Sequence, residues 1–190
     1  GEISSAVIAL VFNFLILGIA GSIGVAAYGI VANLSIVGMS ILNGLAQGVQ
    51  PLISESYGKG EQKTVRKLLR WGMNSAIVVE IVMVVFVWLF TDPLVAVFNS
   101  ENNPMLLKYA HIGLQLYFLG FLFAGINILL VAYFSATANA RPAIIGSLLR
   151  GVIAIVICAV VLAGILGMNG VWLSFLASEM ITFVVILILS

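Results

Sequence analysis

Apolar runs of bilayer-crossing length follow one another along almost the whole chain, and few folds can absorb them. Hydropathy and turn signals place spans near 3–21, 25–51, 68–90, 105–132, 142–164 and 170–189. A spanning helix needs roughly 20 apolar residues, so 190 positions hold six spans with short loops and leave no room for a separate soluble domain. With 63% hydrophobic residues, 8% charged residues and a mean hydropathy of +1.24, no soluble core could bury the apolar surface. The expected fold is all-α: a polytopic six-transmembrane-helix bundle occupying residues 1–190.

The first run begins almost at Gly1 with no basic start and no cleavage signature, so it reads as a helix entered partway and not as a signal peptide. A net charge of +1 argues against nucleic acid as a partner. The basic residues speak to orientation instead. Lys59, Lys63, Arg66, Lys67 and Arg70 follow the second span and Arg141 follows the fourth, which places both loops in the cytoplasm. Six crossings return the chain to its starting side, so both termini are expected there too, in a multi-pass protein of the plasma or inner membrane. From Lys63 to Arg70 charged and apolar residues alternate at helical spacing, either as an amphipathic lead-in at the headgroups or as a solvated helical turn. Cys158, the only cysteine, lies inside an apolar run and reads as a packing residue; it permits no internal disulfide or cysteine-built metal site.

Polar groups in hydrocarbon are costly unless they face other helices or a watery cavity. On the second span Asn33, Ser40, Asn43, Gln47 and Gln50 form one helical stripe, with Gly44 and Gly48 as a small-residue notch. The stripe either lines a cavity or bonds helix to helix. The first span carries Glu2, Ser5 and Asn13 along one side, the fourth carries Asn127, and the sixth carries Ser174, Ser178 and Thr182 four residues apart. Asn13, Asn33, Asn43, Gln47, Gln50 and Asn127 are the candidate cavity-lining residues. Glu2 and Glu179 are the candidate ion-coupling acids.

Three charges sit at membrane depth: Glu80, Arg150 and Glu179. Each requires a partner, a proton or water. Arg150 and Glu179 lie on sequential spans at depths that differ by only about 6 Å, which allows a structural ion pair; alternatively Arg150 reaches along its stem toward the interface. No HExxH, GxSxG or Walker pattern is present, no catalytic residues stand out, and the sequence assigns no metal or cofactor. His111 reads as a packing or interface residue at the outer start of the fourth span. Tyr117, Phe118, Phe121 and Phe123 either stack on a flat organic cation or simply fill the bundle.

The stretch from Gly24 to Gly60 carries AAYGI, then NGLAQGVQP, then YGKG before the basic loop. Further on come LFTDP, FSATANARPA, SLLRG and GVW, in order and across nearly the whole chain. This series resembles the second half of multidrug and toxic compound extrusion (MATE) transporters. The resemblance implies twelve helices in two six-helix lobes, a central cavity, and antiport of cationic or amphipathic drugs against sodium ions or protons. It implies that this chain is the carboxy-terminal lobe, that its partners are small cationic molecules, the bilayer and a first lobe, and that transport needs both lobes. Some MATE subgroups carry an acid on the helix where Glu2 lies. A lipid-linked saccharide flippase of the same superfamily is the nearest rival, although it would be expected to present more intramembrane cations. A non-transporting membrane assembly module is the rival from another class.

Overall fold

A computed structural model describes the backbone of residues 2–190 and the side chains from Ala6 onward. Every regular element among these residues is helical. The first, α1, runs Glu2–Gly58, and as a straight rod it would be about 85 Å long, nearly three times the hydrocarbon thickness. It is not straight. Gly21 takes φ 66° and ψ −160°, a conformation open essentially only to glycine, and the chain reverses there. The reversal is plain from the rings of Phe12 and Tyr28, which stack at 5.1 Å although a continuous helix would hold them about 24 Å apart.

α2 spans Gln62–Leu89. It begins well before the expected 68, because Val65 is buried against Ile53 and Ala136 and carries the basic lead-in into the same helix. The following segment, read from sequence as a loop, holds a short helix α3, Thr91–Phe98. Thr91 Oγ1 donates to the Val87 carbonyl at 2.6 Å, and the Asn99 side chain exchanges two hydrogen bonds with the Asn103 backbone, so this turn is closed by its own polar groups.

The fourth span is broken, where the sequence suggested one continuous helix. α4 covers Pro104–Phe118 and α5 covers Phe121–Ala136, bent by 42° at Leu119–Gly120. α4 starts with Pro104 after an Asn103 cap whose side chain accepts from the Met105 and Leu106 amides. At the bend, a Cβ on Gly120 would lie 2.4 Å from the Phe175 ring, so its absence lets the helix that carries Phe175 come close.

α6, Ala140–Leu148, passes through a π-helical turn at Leu149–Ile153 into α7, Ala154–Leu166. Gly167 then turns the chain into α8, Met168–Leu189. Trp172, Phe12, Ile16, Phe118 and Phe121 are fully buried and tie α1, α4, α5 and α8 into one core. Long apolar side chains such as Phe14, Leu89 and Ile188 stay exposed, the arrangement of a bundle whose outer solvent is lipid.

Candidate functional site

The site is assembled around Glu179, in the middle of α8 and only 3% exposed. Two elements from elsewhere in the chain converge on its carboxylate. Asn127, on α5, donates through Nδ2 to Glu179 Oε2 at 2.7 Å and to the Glu179 backbone carbonyl at 2.8 Å. Arg150 donates through Nε to the same Oε2 at 3.2 Å. Arg150 is the second residue of the π turn, whose extra residue per turn re-aims side chains relative to a regular helix. Arg150 Nη1 and Nη2 make no hydrogen bond among the described residues, so one edge of the guanidinium is left for other partners.

The pair opens onto a cavity of about 440 Å³ bounded by Ser35, Met39 and Asn43 of α1, Tyr117 of α4, Ser147 and Arg150 of the π-turn span, and Phe175 and Glu179 of α8. Tyr117 and Phe175 stack at 4.6 Å, giving the cavity a flat aromatic side. Among the described residues, its only carboxylate and its only guanidinium are the two that face each other.

Not every residue read from sequence meets at this place. Asn43 does; Asn33 and Gln47 are exposed and Gln50 half-buried on the same arm, and none of the four bonds to another helix among the described residues. Ser40 donates to its own Ile36 carbonyl. The face turned to the cavity is Ser35, Met39, Asn43, spaced four by four, and it overlaps the polar stripe only at Asn43. Met39 interrupts the polar pattern, which is why the stripe pointed partly elsewhere. Asn13 lies on an apolar groove with Leu10, Phe14 and Leu17, away from Glu179. Asn127, expected at the cavity, is 0% exposed and sits beneath Glu179, to which both of its donor contacts go. Its Oδ1 is buried without a partner among the described residues, as is Trp172 Nε1. The Glu2 side chain lies outside the described residues.

Glu80 acquires a partner that no spacing rule indicates. From the middle of α2, 1% exposed, its Oε1 accepts from the Gly125 amide at 2.5 Å and the Ile126 amide at 3.2 Å in the first turns of α5. A side chain on Gly125 would place its Cβ 2.6 Å from that oxygen, so the glycine makes room for the carboxylate. His111 Nδ1 meets Asp92 Oδ1 at 2.7 Å and ties α3 to α4. On the exposed end of α1, the hydrogen bond from Lys59 holds the Glu55 carboxyl below its usual range and raises the Lys59 ammonium.

A helical bundle with an apolar exterior, broken and kinked spans, and a cavity walled by polar and aromatic groups defines a polytopic membrane protein. The MatE family model matches residues 2–160, and the chain belongs to that family. It is 28% identical over 172 residues to the multidrug export protein MepA of Staphylococcus saprophyticus and 31% identical over 177 residues to MepA of Staphylococcus aureus, covering 90% of this chain in each case. It spans 37% of the length of those relatives. The fold is similar to part of a multidrug resistance MATE family transporter solved in an outward-facing conformation, with a TM-score of 0.87 at 17% identity over 97% of this chain and 41% of that one. A Pyrococcus furiosus transporter of the MOP superfamily gives 0.88 at 17% identity over 98% and 42%.

Proposed function

We propose that this chain is the carboxy-terminal lobe of a secondary-active antiporter that exports cationic or amphipathic drugs in exchange for sodium ions or protons. The observation that carries the reading is the cavity at Glu179: its cation is paired with its carboxylate, so among the described residues it offers an aromatic wall and acceptor oxygens, with no excess of positive charge for an anionic cargo. That disfavours a pyrophosphate-linked lipid and suits a flat organic cation, for which stacking on an aromatic face contributes about 0.5–2 kcal/mol. The MepA relatives support the same direction by their name. Alternating access would come from this lobe rocking against a first lobe, with the exposed Asn33 and Gln47 turned toward that partner. The coupling ion is drawn to Glu2 or Glu179; Glu179 can serve only when Arg150 releases it. The basic loop and both termini are assigned to the cytoplasm.

The test is ethidium efflux from cells expressing the complete transporter, with the sodium gradient and the proton gradient collapsed separately. Efflux that stops with one of them, and falls at least tenfold on Tyr117→Ala, supports the reading. Efflux indifferent to both gradients rejects antiport.

A further inference from the structure

Four cations stand on one face of α2 in a way that topology alone does not require. Orientation in a membrane needs basic residues near a helix end, but sets no angular order for them. Here Lys63, Arg66, Lys67 and Arg70 follow the i, i+3, i+4, i+7 spacing, which gathers them within an arc of about 100° and a rise of about 10 Å. All four are exposed, and none forms a salt bridge among the described residues. The neighbouring Lys59 is already engaged by Glu55 and does not belong to the group. The opposite face of the same turns is fixed: Val65 is 1% exposed and, with Leu68 and Leu69, packs on Ile53 and Ala136. The cations are thus held outward by a pinned helix.

At the membrane end of this face stands Trp71, 58% exposed, with the Lys67 ammonium 4.6 Å above its ring. The five side chains bound a cleft of about 340 Å³ that contains no acid. An interfacial tryptophan marks the depth of the headgroups, so the cleft lies where lipid phosphates are. We propose that Lys63, Arg66, Lys67, Arg70 and Trp71 form a docking site for the phosphate headgroup of an anionic phospholipid in the leaflet that this end of the bundle faces. The four cations supply charge-assisted donors to the phosphate, and Trp71 packs along the glycerol and upper acyl region. The site is independent of the transport reading, since it requires only that the bundle be in a bilayer.

The experiment titrates brominated phosphatidylglycerol, and in parallel brominated phosphatidylcholine, into the purified protein in neutral detergent and follows tryptophan quenching. The difference between the unaltered protein and Trp71→Phe isolates the Trp71 signal. The expected result is quenching by phosphatidylglycerol at a far lower mole fraction than by phosphatidylcholine, weakened about fivefold by each of Arg66→Gln and Arg70→Gln and lost at high salt. Arg66→Lys keeps the charge and should retain the preference within about twofold, which guards against a neutralised variant that fails to insert. Equal quenching by the two lipids overturns the proposal. So does a preference that millimolar inorganic phosphate abolishes, which would assign the cleft to a soluble phosphate compound.

Discussion

At the scale of single residues the chemistry rests on two carboxylates that the fold satisfies in different ways. Glu179 is met by a charge and an amide, and Glu80 accepts from backbone donors alone. Removing one partner of a buried ion pair typically costs about 3–5 kcal/mol, whereas replacing both with apolar groups is often close to neutral. Arg150→Met and Glu179→Gln should each lower thermal stability in detergent, and the double variant should be milder than either; additive losses would mean that the contact contributes no coupling. For Glu80 the partner is a glycine amide that a methyl group would block. Glu80→Ala and Gly125→Ala should each destabilise by about 1–3 kcal/mol, the cost of leaving buried polar groups unpaired. Their double variant should fall well short of the sum, because the two changes remove the same contact. A melting curve for each of the four proteins decides this.

At the scale of elements the spans are defined by where the helix fails. Gly21 turns one 57-residue helix into a hairpin, and Gly21→Ala should cost about 1–3 kcal/mol, since no L side chain sits comfortably at that φ and ψ. The α7–α8 hairpin depends on a closer contact. A Cβ on Gly170 would lie 1.9 Å from the Leu162 carbonyl oxygen, a backbone atom that cannot swing away. By contrast, a Cβ on Gly164, on the same hairpin, meets nothing within 4 Å. Gly170→Ala should therefore abolish the monodisperse peak on size-exclusion chromatography while Gly164→Ala leaves it intact. Equal behaviour of the two variants would show that the hairpin tolerates a shift of its backbone. The bend in the α4–α5 span and the π turn at Arg150 belong to the same category: both are departures from the regular helix, and both aim a functional group at its partner.

At the scale of the whole molecule the basic residues collect at one end of the bundle, with Lys108 at the start of α4 and Arg150 inside the bundle as the exceptions. If that end is cytoplasmic, cysteines placed at the exposed positions Gln62 and Ser100 should react with an impermeant maleimide from opposite sides of the membrane. The native Cys158 is buried and should stay silent. Labelling of both positions from one side would refute the orientation.

Residue patterns alone determined that the chain is helical, membrane-embedded and built of sequential spans, because apolar length and turn residues act locally and the bilayer leaves no alternative way to satisfy a backbone. They also brought Arg150 and Glu179 into consideration as partners, since depth along a helix can be counted at a fixed rise per residue. What they could not supply was rotation and breakage. Whether Met39 or Ser40 faces the cavity, that Asn127 is buried beneath Glu179, that Glu80 finds amides freed for it by Gly125, and that Gly120 bends the fourth span are all settled by which helix packs against which. Those are contacts between residues far apart in the chain, such as Asn127 and Glu179, 52 positions apart, and no local propensity encodes them.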